Sequence, residues 1–212
     1  MSDVIPVVLG FDFRCYPSDK EANPLTIDVN EWPQVDGFGR EALLQRAAST
    51  LDREETSLIS PLDMSMLVCL PRTWLDTEVD VLKDVVVVAF ASLTIGLSRQ
   101  AYRVDLADGY YGCEITYAEL LKAGWVSLGF DVCDDSLSAS LLYSGQKGLI
   151  EVTANCPGLT EQLNSYGLFL NRESASAFSA KCEYLMVEHS PFSSVEVLVK
   201  GNAYKRINGV TD

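Results

Sequence analysis

The run from Val85 to Leu97, VVVVAFASLTIGL, constrains the fold of this chain more than any other stretch. It carries no charge and is rich in β-branched residues. It is also too short for the ~20 residues that a helix needs to cross a bilayer, and its Ser92 and Thr94 suit a buried strand. A strand with no polar alternation has no face to turn toward water. Asp84 to Ile95 is therefore predicted to be a central strand covered on both faces.

A central strand needs neighbours, and the sequence offers several. Val4 to Phe13 opens the chain with clustered β-branched residues, and Met64 to Leu70 reads as a further strand. Ala101 to Ala107 alternates Tyr102, Val104 and Leu106 against Arg103 and Asp105, as a half-exposed strand does, and Asp108-Gly109 turns it. Trp125 to Cys133 is another strand, with Trp125 expected in the core. Phe192 to Lys200 is the last, with Val195, Val197 and Val199 on one face.

Helical spacing lies between these strands. Arg40 to Leu51 places Leu43, Leu44, Ala47, Ala48 and Leu51 on one side. Thr116 and Glu119 have capping-box spacing ahead of a short helix that Gly124 closes. Thr160 to Tyr166 is predicted as a short helix stopped by Gly167. Asn171 is predicted to cap a longer one running to about Glu188, with Pro191 beyond it. Helices and strands alternate without the strict βαβ rhythm of a doubly wound sheet. The fold class that follows is α+β, a mixed or mostly antiparallel sheet packed with several short helices. Residues 1–212 form one body, and no long polar linker separates an acidic part, 1–110, from a near-neutral part, 111–212.

Charge bounds the function. The chain of 212 residues has a formal net charge of −14, distributed as −6 over residues 1–60, −7 over 61–135 and −1 over 136–212. A field of this sign argues against nucleic acid or an anionic membrane as partner and suits a basic protein. The long Pro- and Gly-rich loop CYPSDKEANPLTIDVNEWPQVDGFG contributes Asp28, Glu31 and Trp32 as interface candidates. Trp74 beside Asp76 and Glu78, and Tyr110-Tyr111 beside Asp108, repeat the same combination of aromatic anchor and carboxylate. Asp131, Asp134 and Asp135 form an acidic cluster at the end of the Trp125 strand. It reads as a solvated strand-to-loop turn and then as a partner contact, ahead of a Mg²⁺ or Ca²⁺ site.

Catalytic signatures are missing: the chain has no P-loop, no GxGxxG after a strand, no GxSxG and no HExxH. His189, its one histidine, follows a helix, where it is expected to meet terminal carbonyls. The six cysteines, Cys15, Cys69, Cys113, Cys133, Cys156 and Cys182, form no close pair. They read as reduced thiols, with Cys69 and Cys133 as small core hydrophobes. The N-terminal MSDVIPVVLGFDFR lacks a basic n-region, so the expected location is the cytoplasm. No metal or cofactor is expected.

GWVSLGFDVCDD, residues 124–135, and YGLFLNRESASAFSAKCEYLMVEHSPFSSVEVLVKG, residues 166–201, resemble bacterial proteins found beside polymorphic toxins, which are immunity-type factors. The resemblance covers less than a third of the chain and assigns no functional residue. It implies a cytoplasmic inhibitor that binds a basic toxin or effector and blocks it. The competing readings are a metal- or thiol-dependent enzyme, for which His189 or the Asp131 cluster would be the centre, a phage-type or structural accessory protein, and a nucleic-acid mimic that competes with DNA for a basic protein.

Overall fold

The computed structural model describes residues 6–15, 72, 75, 85–92, 115–134, 142, 158, 160–185 and 191–207. Four strands, β1 (Val7–Cys15), β2 (Val85–Ser92), β3 (Trp125–Asp134) and β4 (Phe192–Lys200), form one sheet in the order β1-β2-β4-β3. Every pairing is antiparallel. Among the described residues three helices accompany the sheet: α1 (Tyr117–Lys122), α2 (Arg172–Leu185) and α3 (Gly201–Ile207). The α+β expectation holds for this region. The predicted strands at 64–70 and 101–107 and the helix at 40–51 lie outside the described residues, as does His189.

β2 is interior, with β1 on one side and β4 on the other, and Val86 to Ser92 are all buried. The apolar run fits that place because side chains on both of its faces are removed from water. On one face Val86, Val88 and Phe90 join Val195, Val197 and Val199 in a core with Leu168 and Ala203. β1 and β3 each carry a register irregularity, between Val8 and Gly10 and between Ser127 and Gly129. The residue inserted in each case is a leucine, Leu9 and Leu128, and both enter this same core. Bulges of this kind bend a strand and re-aim one side chain.

On the opposite face Val132 and Phe192 pack beneath Ala175 and Phe178 of α2, with Phe169 and Leu142 completing the cluster. The Phe169 and Phe178 rings lie 5.4 Å apart. Trp125 meets the edge of Phe11 at 5.6 Å and is buried, as its strand position predicts. Its Nε1 is the only enclosed side-chain N or O among the described residues that lacks a hydrogen bond.

β3 lies at one end of the sheet order, and its outer edge is closed by local chain. Phe130 and Phe169 exchange backbone hydrogen bonds of 2.8 and 2.9 Å. Asn164 Nδ2 donates to the Leu128 carbonyl at 2.7 Å, and Asp131 Oδ1 accepts from the Val132 amide at 2.7 Å. These contacts occupy groups that an open edge would offer to another strand. The crowding fixes Gly129. Its φ is +139°, and a Cβ there would stand 2.7 Å from the Phe169 carbonyl oxygen and 2.9 Å from Leu168 Cβ.

The capping box forms as predicted: Glu119 N donates to Thr116 Oγ1 at 3.3 Å, and Thr116 N donates to Glu119 Oε2 at 2.7 Å. Gly124, at φ +82°, turns the chain from α1 into β3, and its carbonyl then accepts from the Gly201 amide at 2.9 Å. Asn171 caps α2 through a 2.9 Å bond from the Ser174 amide.

Two expectations change. The helix predicted over 160–166 is only a 3₁₀ turn, Thr160–Gln162. Asn164 Oδ1 accepts from the Tyr166 and Leu168 amides, and such a side-chain turn competes directly with helix propagation. α3 was not anticipated after β4. It is held by Ala203, which is buried in the core, more than by propensity, since Gly201 and Asn202 are poor helix formers.

Candidate functional site

Of the twelve interface candidates, only Asp131 is described in full. Asp28, Glu31, Trp32, Trp74, Asp76, Glu78, Asp108, Tyr110, Tyr111 and Asp135 lie outside the described residues, and Asp134 is placed by its backbone alone, opposite Phe192. Leu75, which separates Trp74 from Asp76 in the chain, is buried, and its carbonyl accepts from Lys200 Nζ at 2.9 Å.

Asp131 is not at a strand end and not in solvent. β3 continues to Asp134, and Asp131 pairs with Val195 in mid-strand at 0% exposure. Its carboxylate serves the adjacent Val132 amide. The expected solvated cluster of Asp131, Asp134 and Asp135 therefore loses its first member. The physical reason is register: opposite Val195, Asp131 stands beside the valine row of the inner core. Among the described residues no group of three or more His, Cys, Asp or Glu side chains is arranged to hold a metal ion. Cys133 is buried and forms no disulfide, as expected of a core hydrophobe.

The polar constellation that the structure does bring together was not singled out from the sequence. It occupies the face of the sheet that carries α2, where β4 presents Ser194 and, two residues on, Glu196. The Tyr117 hydroxyl, at the start of α1, donates to Glu196 Oε2 at 2.9 Å. On α2, Ser176 Oγ stands 3.4 Å from Ser194 Oγ. One turn earlier, the Arg172 guanidinium lies over the Phe130 ring, 5.4 Å from its centroid. Phe130 is the direct cross-strand neighbour of Glu196, so strand register and helix period bring these six side chains to one seam. A second α2 serine, Ser179, donates to the Phe192 carbonyl at 2.6 Å and fixes the helix to the strand below.

Comparison of the chain with protein-family models, with curated proteins and with solved structures finds no match. The seam is therefore read from its own chemistry. Glu196 is 6% exposed, whereas Tyr117, Ser194, Phe130 and Arg172 are half-buried and Ser176 is exposed. The Tyr117 phenol is pushed up to about 12, first by burial and then by the charge and hydrogen bond of Glu196, with Arg172 opposing. At neutral pH it is a fixed donor that orients a carboxylate, not a base. The arrangement can bind and position a polar group.

A second polar contact lies at the other side of α1. Arg72 Nε stands 3.1 Å from Glu119 Oε1, and the Glu119 carboxyl is held below its usual range, first by the Thr116 amide, then by the Thr116 hydroxyl. This is helix capping on an exposed surface.

Sequence reading missed the seam because Ser194 and Glu196 alternate with the core valines, the signature of a solvent-facing side of a strand. The signal that it carried was a charged residue inside the most apolar part of the C-terminal sequence, VEVLV.

Proposed function

We propose that this chain is an acidic binding protein, an immunity-type inhibitor that neutralises a basic protein partner by covering it. The observation that carries the reading is the charge: −14 overall, of which −13 belongs to residues 1–135. Opposed fields of this size raise association rates and penalise wrong partners. The described polar side chains agree with a binding role, since Tyr117 is a donor at neutral pH and the Cys133 thiol is enclosed. No helix among the described residues is long and apolar enough to cross a membrane. The resemblance of residues 124–135 and 166–201 to immunity-type proteins points the same way, and the working location is the bacterial cytoplasm.

The test is capture of partners by the immobilised protein from the lysate of its native host, with elution in a salt gradient. The expected result is one stoichiometric basic protein released by salt. Recovery of no such protein overturns the reading.

A further inference from the structure

A carboxylate taken out of water needs its lone pairs satisfied, because burial without compensating hydrogen bonds disfavours the charged form. Glu196 is only half provided for. Oε2 accepts from Tyr117, while Oε1 has no hydrogen-bond partner among the described residues. Oε1 is also not an enclosed atom, since Trp125 Nε1 is the one enclosed side-chain N or O without a partner there. It therefore keeps part of its surface in contact with solvent, although Glu196 as a whole is only 6% exposed. Other oxygens lie on the same face: the Tyr117 oxygen, whose proton is committed to Glu196, and, two residues back along β4, the Ser194 hydroxyl, 3.4 Å from Ser176 Oγ.

We propose that this seam receives one arginine side chain of a basic protein partner, with its guanidinium on Glu196 Oε1 and on the neighbouring hydroxyl oxygens. This rests on the basic-partner reading and gives it a point of contact. A planar fork of five N–H donors matches a set of acceptors that fans out around one carboxylate, which a single ammonium matches less well. Phe130, the cross-strand neighbour of Glu196, already carries a guanidinium on its ring, that of Arg172. Arg172 forms no hydrogen bond or ion pair among the described residues, and it stands as an internal competitor at the site. Its positive charge opposes the upward shift of Tyr117, so its field reaches the seam.

The probe is N-acetyl-arginine amide, titrated into the full chain and followed by amide NMR. Saturable shifts are expected at Ser194–Glu196, at Tyr117 and at Arg172–Ser176. Glu196→Gln keeps the shape and an acceptor for Tyr117, and should weaken the probe roughly tenfold or more, as loss of a charged hydrogen bond does. Glu161→Gln, at an exposed carboxylate on the 3₁₀ turn, should leave it unchanged. Arg172→Ala should tighten it by about two- to fivefold, the size of a nearby charge in partly exposed surroundings. Shifts that do not saturate, or that Glu196→Gln leaves intact, overturn the proposal. Should Glu196→Gln not fold, equal or weaker binding to Arg172→Ala overturns it instead. A seam that saturates while no basic protein is captured from lysate keeps the guanidinium site and removes the inhibitor reading. A captured partner that binds Glu196→Gln as tightly as wild type does the reverse.

Discussion

The Tyr117 hydroxyl and Glu196 Oε2 are joined by a 2.9 Å hydrogen bond that spans 79 positions of the chain and clasps the first residue of α1 to the interior strand β4. Neither residue is conspicuous alone. Together they let a carboxylate remain almost fully covered on a sheet whose other face is built from valines. Burial first, then the Glu196 charge and the bond itself, push the phenol up to about 12.

Tyr117→Phe should therefore destabilise the fold by about 1–3 kcal/mol at neutral pH, the usual cost of leaving a buried partner unsatisfied. Urea denaturation measures this. Because the folded-state value lies above the ordinary 10.0, the contribution is complete below pH 10 and is lost as pH rises toward about 12. The gap between wild type and variant should shrink over that alkaline window, and a gap independent of pH would contradict the assignment.

Gly129→Ala should cost about 2–5 kcal/mol, combining a strained positive φ with overpacking. The added Cβ would press on the Phe169 carbonyl, on Leu168 and on Asn164 Nδ2, two of them under 3.0 Å away. Thermal unfolding tests this, and hydrogen exchange at Phe130 and Phe169 should accelerate more than exchange in β2.

Asn164→Asp exchanges a donor for an acceptor against the Leu128 carbonyl while keeping the oxygen that receives the Tyr166 and Leu168 amides. A loss of about 1–3 kcal/mol is expected near neutrality. Stability should partly return in mild acid, where a protonated carboxyl can donate again. Comparison of wild type and variant at pH 4 and pH 7 decides the point.

Thr116→Ala removes the α1 cap and should cost about 1 kcal/mol. Its partner Glu119 has a lowered carboxyl pKa, so the Glu119 contribution is complete above the ordinary value of 4.5 and fades as pH falls through the folded one. Glu119→Gln should accordingly flatten the acid limb of the stability curve. An unchanged limb would remove Glu119 from that role.

Association with the proposed basic partner should slow as salt is raised, because exposed charges beyond a Debye length are screened. Charge reversal of Asp28 with Glu31, or of Asp134 with Asp135, should lower the on-rate more than it raises the off-rate, without unfolding the protein. Stopped-flow or surface-binding kinetics measure this, and unchanged on-rates would move the contact elsewhere.

Much of the described architecture was legible in the residues themselves. The uninterrupted apolar run marked β2 as an interior strand, the Thr116 and Glu119 spacing marked α1, and the 195, 197, 199 valines marked the inner face of β4. These signals act over two to four residues, the reach of strand alternation and helix capping, so a linear reading recovers them. What only the tertiary structure decided depends on partners far away in sequence. Asp131 looked like the first residue of an acidic turn, yet pairing with Val195 carried it inside. Residues 160–166 looked helical, yet Asn164 served the backbone of a loop that had to seal the edge of β3. Tyr117, Arg172 and Glu196 meet because a helix start, a second helix and an interior strand converge on one face of the sheet. Side-chain chemistry was written in the sequence, and its exposure was set by register and packing, since a shift of one position in a strand exchanges core for solvent.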